Sequence, residues 1–151
     1  MKNISQEISK EINSNPFREG ETYTRKIIYS ICNPGQKWDR GGPWATGYAT
    51  SGNKLIIFMN IGISGRTGHD YNNSYNPDSR KIEWCGKTNS NLGQKTFSDL
   101  IAGLSVPHFF ARWNNEPQFT YLGIGHVISY KENFPSQEGP TMRLKLKCLE
   151  Q

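Results

Sequence analysis

Several things are missing from this sequence. No apolar run reaches about eighteen residues, so nothing reads as a membrane-spanning helix, and no membrane partner is expected. The N-terminus has no apolar signal-peptide core. The cysteines, Cys32, Cys85 and Cys148, are odd in number and far apart. Without a Cys-x-x-Cys or Cys/His pairing, neither a structural zinc site nor a disulfide framework is expected, and a reducing cytoplasm fits best. The G-x-S-x-G, P-loop, H-E-x-x-H and G-x-G-x-x-G signatures are absent, which removes the commonest hydrolase and nucleotide-binding arrangements. Hydrophobic residues make up only 34% of the chain, with aromatics at 12%, so the core must lean on Phe, Tyr and Trp.

The 151 residues suit one domain. The 15 glycines and 8 prolines favour many turns, and hence short strands over long helices. The net charge is +5; residues 1–21 hold three basic and four acidic groups, so the body beyond them carries +6. A basic body favours polyanions such as nucleic acid, because each neutralised phosphate releases counterions.

Residues 1–16 place Ile4, Ile8 and Ile12 four apart and end in Asn-Ser-Asn-Pro, the pattern of a short amphipathic helix ahead of a body over 17–151. That helix has two uses, packing on the body or engaging a partner protein. A second helix follows, with Ile27, Ile28 and Ile31 on one face, Thr22 or Thr24 as its cap, and Asn33-Pro34-Gly35 as its end. Ser51-Gly52-Asn53 marks a hairpin, and Lys54–Ile61 is apolar on both faces, as a central strand would be. Strands are expected at Arg80–Lys87, His108–Trp113, Gln118–Gly125, His126–Tyr130 and Thr141–Cys148, with a two-turn helix over Phe97–Leu104. The result is an α+β fold: six or seven strands in a strongly bent sheet or partly open barrel, two N-terminal helices and one short internal helix.

Four stretches carry candidate chemistry. In Asn60–Tyr71 (NIGISGRTGHDY), the glycines allow a nest of backbone amides, Arg66 adds a fork for phosphate or a guanine edge, and His69, Asp70 and Tyr71 follow. The alternative is a plain connector with Asp70 paired to Arg66. In Lys37–Tyr48, Trp38 and Trp44 flank Asp39 and Arg40; exposed rings there would stack a base, whereas a core role would bury at least one of them. In Glu83–Asn91, Trp84 lies on a strand and Lys87 at its end suits a phosphate. In His108–Gly125 most residues suit a core, with Arg112 the outlier. A different class of reading makes the chain a small Mg²⁺-dependent DNA endonuclease using Asp70, Asp78 or Glu83, with Lys87 steadying charge. The Glu83-to-Lys87 spacing of four does not put both side chains on one strand face. In the DNA-binding reading no cofactor is needed.

NIGISGRTGHDY, EWCGKTNS and FTYLGIGHVISY with GPTMRLKL together resemble the C-terminal domain of unknown function appended to bacterial superfamily-2 helicases and to some HNH-type restriction endonucleases. The resemblance covers roughly residues 17–149. It implies a recognition module of a restriction or DNA-repair system that binds double-stranded DNA, reads a modified or flipped base, and works with a nuclease or helicase domain or subunit. Carried over position by position, it points to Arg66, His69, Asp70, Tyr71, Trp84, Lys87 and Arg112, and it assigns no catalytic residue.

Overall fold

The computed structural model describes residues 6–38, 42–63, 72–136 and 139–149. Helix α1 (Gln6–Ser14) leads into β1 (Thr22–Thr24) and α2 (Arg25–Cys32); a 3-10 turn (Gly42–Ala45) precedes the hairpin of β2 (Tyr48–Ser51) and β3 (Lys54–Asn60). Then come β4 (Ser74–Asn76), β5 (Lys81–Cys85), α3 (Lys95–Ala102), β6 (Val106–Arg112), β7 (Gln118–Ser136) and β8 (Gly139–Cys148). The strands form one open mixed sheet in the order β2-β3-β6-β7-β8-β5-β4, with β1 added beside β7. The β-rich α+β class stands. Among the described residues the strands number eight rather than six or seven, because β1 and β4, three residues each, are too short to show a pattern. Among the described residues no helix is long and apolar enough to cross a membrane.

Lys54–Asn60 is a central strand, antiparallel to β2 and parallel to β6, with Leu55–Met59 all buried. A parallel pair needs a long crossover, and β4, β5 and α3 supply it. Gln118–Gly125 and His126–Tyr130 are not separate strands. They are one strand of 19 residues, because Gly123 and Gly125 serve packing and not termination. A Cβ on Gly125 would stand 2.5 Å from Phe109 Cε2, and Gly123 (φ +124°) sits opposite Phe109 beside a bulge. β7 therefore pairs with β6 through its first half and with β8 through its second, so it bends the sheet around the core.

The largest buried cluster joins Leu55, Ile57, Met59, Trp84, Phe97, Phe109, Leu144 and Leu146; a second, on the opposite face of β3 and β6, joins Phe17, Ile28, Ile56, Phe58, Phe110, Phe119 and Tyr121. Thr24 caps α2 by accepting from the Ile27 amide. The buried stripe of α2 runs through Ile28 and Ile31, while Ile27 is 49% exposed, contrary to the single Ile27-Ile28-Ile31 face. α1 docks on the body: Ile8 is buried against Val106 and Ile124, and Ile12 packs beside it, so this face of the helix is engaged within the chain.

Beneath α1 lies a buried polar network. Glu11 receives Lys54 Nζ at 2.9 Å and His108 Nε2 at 2.8 Å; His108 Nδ1 lies 2.8 Å from the Tyr121 hydroxyl, which also accepts from Asn15 Nδ2. One assignment satisfies every partner. The Glu11 carboxylate accepts from His108 Nε2–H, and Tyr121 donates to the free Nδ1 of a neutral imidazole. Burial, opposed by the Glu11 hydrogen bond, lowers the His108 pKa and keeps the ring neutral. Burial alone would raise Glu11; the hydrogen bonds from His108 and Lys54 outweigh it and hold the carboxyl below its ordinary value.

Candidate nucleic-acid interface

Residues 64–71 and 39–41 lie outside the described residues, and with them Arg66, His69, Asp70, Tyr71 and Arg40. The structure does describe what holds the two ends of the 64–71 segment. Asn60 and Arg112 are register partners at the ends of the parallel strands β3 and β6. Arg112 Nε donates to Asn60 Oδ1 at 2.7 Å, its Nη1 donates to the Glu116 carbonyl at 2.8 Å, and the Ile61 amide donates to the Arg112 carbonyl at 2.9 Å. The guanidinium lies over the Phe119 ring, 4.5 Å from its centroid. Partial burial lowers the Arg112 pKa, and the group still stays charged.

A second arginine holds the exit. Arg143 on β8 donates to the Asn72 carbonyl at 3.2 Å and approaches Glu83 at 3.6 Å, with its Nη1 3.1 Å from Cys85 Sγ. Asn73 Oδ1 accepts from the Cys85 amide, tying the same exit to β5. Sequence reasoning missed Arg143. Its value depends on the register that sets Cys85 beside it, which no local pattern reveals.

The tryptophans divide between surface and core. Trp38 and Trp44 are half-buried and both meet Tyr29 edge-on at 5.2 Å, one on each side of residues 39–41. Arg25 Nη1 binds the carbonyls of Trp44 and Thr46, and its guanidinium covers Phe58 and Phe119. Phe119 is thus in cation–π range of both Arg25 and Arg112, which joins this aromatic group to the strand end where β3 gives way to the next segment. Trp44 stands in the 3-10 turn.

Trp84, proposed from sequence as a nucleic-acid contact, is 2% exposed and enclosed by Tyr48, Phe97 and Phe109. As placed it backs Tyr48 and offers no ring to solvent; alternation with Glu83 and Lys81 puts it on the inner side of β5. Tyr48 is half-buried, packs against the principal core and carries the Lys87 ammonium 4.4 Å above its ring. Burial lowers the Lys87 pKa. A charged head held over an aromatic ring is a fixed cation on the outer side of the Trp84 layer.

The carboxylates of the nuclease reading are apart in use. Asp78 is exposed in the turn before β5, where its amide donates to Asn76 Oδ1. Glu83 faces outward and is engaged by Arg143. Among the described residues no group of three His, Cys, Asp or Glu side chains could hold a metal ion. Burial pushes the Cys32 thiol up to about 11 and Cys148 up to about 12, so neither is a thiolate near neutral pH. Lys95 pairs with Asp99 one turn along α3.

No protein-family model and no curated protein sequence matches the chain. Solved structures do. The MspJI restriction endonuclease in complex with a 27-mer oligonucleotide matches over 95% of this chain and 45% of its own, at 12% identity and TM-score 0.61. The SUVH5 SRA complex with hemimethylated CG DNA matches over 90% of this chain and 91% of its own, at 13% identity and TM-score 0.58. Arabidopsis thaliana SUVH6 in complex with SAM matches over 89% of this chain and 26% of its own, at 14% identity and TM-score 0.53. The chain spans less than half the length of the MspJI and SUVH6 chains and is nearly coextensive with the SUVH5 SRA chain. At such identities the likeness is one of architecture, and the bent mixed sheet described above is the fold these three structures share with this chain.

Proposed function

We propose that this chain is a DNA-recognition module that reads a modified base in double-stranded DNA and serves a restriction or DNA-repair system. The observation that carries the reading is the fold itself. It matches an SRA structure bound to hemimethylated DNA over nearly its whole length and a restriction endonuclease bound to an oligonucleotide over part of its length. Three further features support it. The body carries +6. Two arginines, Arg112 and Arg143, hold the ends of a segment containing Arg66, His69, Asp70 and Tyr71. Rings stand beside the start of that segment and next to residues 39–41.

In this reading the amides around Gly65 and Gly68, together with Arg66, take a phosphate. Trp38 or Trp44, with Tyr71, packs against a base displaced from the stack, at a cost of a few kcal/mol that stacking recovers. His69, Asp70 and Arg40 offer polar contacts to its edge or to its flanking phosphates, and Lys87 steadies the backbone over Tyr48. Trp84 stiffens that wall from behind. Arg112 orients the segment's entry. A nuclease or helicase, as a further domain or as a partner, would act on what this module has found, as the resemblance to helicase- and HNH-associated domains suggests. No metal or cofactor is needed for recognition.

A binding panel tests this: unmodified, methylated and hydroxymethylated duplexes of one sequence at two salt concentrations. Tighter binding to one modified duplex, weakening steeply with salt, is expected. Equal affinity for all three duplexes would remove the modified-base reading, and no binding would remove DNA. Arg66→Ala should lose about 1–3 kcal/mol of affinity at an unchanged melting temperature.

A further inference from the structure

β8 turns Met142, Leu144, Leu146 and Cys148 into the core, which leaves Arg143, Lys145 and Lys147 on the outer face of the sheet. Register extends that face sideways. Lys131 of β7 lies directly opposite Arg143, and Lys81 and Glu83 of β5 lie opposite Lys147 and Lys145. The outer positions of these three strands therefore hold Lys81, Lys131, Arg143, Lys145 and Lys147 against the carboxylate of Glu83, which Arg143 already engages at 3.6 Å. Glu132, next in β7, is turned to the Leu92 amide. Lys81, Lys131, Lys145 and Lys147 are all exposed, and among the described residues none has a carboxylate within ion-pair distance.

Two of these pairs place like charges directly across a ladder, Lys81 with Lys147 and Lys131 with Arg143. Such pairs are destabilising, and a sheet face with only a structural duty gains by alternating the signs. The arrangement makes sense if a polyanion neutralises it. Arg143 to Lys147 spans on the order of 13 Å along the strand, about the axial length of four nucleotides of one DNA strand. Arg143 also binds the Asn72 carbonyl, so the face begins where the 64–71 segment ends.

We propose that the outer face of β5, β8 and β7 is a docking track for the sugar–phosphate backbone of duplex DNA flanking the base that the 64–71 segment reads. The inference rests on the function proposed above. It adds that the duplex is gripped along a second surface, which runs on from the exit of the reading segment and acts without regard to sequence.

The test uses the whole chain, the triple variant Lys81→Gln/Lys145→Gln/Lys147→Gln, and two duplexes carrying the same modified base, one of about 10 and one of about 24 base pairs, titrated across a salt series. The slope of log affinity against log salt on the long duplex should fall by about 2 to 3, the value for three lost phosphate contacts. The wild-type preference for the long duplex should shrink at least about tenfold, while binding to the short duplex changes little. The melting temperature should hold or rise, since a like-charge pair has been relieved. The Lys→Arg triple variant should keep the wild-type slope. Equal slopes and affinities for wild type and the Gln variant on the long duplex would overturn the track while leaving the proposed function intact. Failure of the wild type to bind either duplex would instead remove the proposed function and the track with it.

Discussion

Glu11 shows how much one side chain can hold. It is 6% exposed and is the shared acceptor for Lys54 and His108, so its removal leaves a buried N–H and an ammonium without a partner. Glu11→Ala should cost about 3–5 kcal/mol in urea unfolding, the range for breaking a buried charged pair. The same network predicts acid sensitivity. Unfolded His108 takes up a proton near its ordinary 6.5, but the folded ring is held neutral with a lowered pKa, so stability falls as the pH drops below about 6.5. Glu11 adds a further loss at lower pH, when its own depressed folded pKa is passed. Unfolding free energies measured from pH 8 to 4 check the sign; a flat profile would refute the neutral-ring assignment. None of this was legible in the sequence, where Glu11 reads as the polar face of a helix and His108 as one of a run of strand residues. Trp84 is the opposite case, a candidate contact that lies buried in the structure. Its alternation with Lys81 and Glu83 did contain the answer, since a position on the Ile82 side of β5 faces the core.

Among the elements, those whose signal is purely local were readable. The β2–β3 hairpin turns at Gly52, α3 ends on left-handed Gly103, and β8 alternates as expected. β7 was not readable, because a glycine looks the same in sequence whether it ends a strand or makes room for a ring. The distinction is testable. Gly125→Ala should cost about 1–3 kcal/mol by driving a methyl into Phe109, with no local repair because the ring is fully buried. A neutral substitution would mean that the strand can shift and that Phe109 is not the constraint. The candidate interface was half legible. The Gly-Arg-Thr-Gly segment stands out by composition, but the arginines that hold its two ends are set by a parallel register and a β8 pairing spanning more than fifty residues.

For the molecule as a whole, the position of β8 has a consequence for how the chain is born. β8 is the last described strand to be made, yet it lies inside the sheet between β5 and β7, and it supplies Met142, Leu144 and Leu146 to the principal core. Until it emerges from the ribosome, β5 and the second half of β7 have no partner for that edge. The sheet can then close only after β8 has been synthesised, with the unpaired edges of β5 and β7 exposed in the meantime. A chain stopped before Gly139 should show no cooperative unfolding transition. In a cell such a nascent chain would lean on chaperones until β8 arrives.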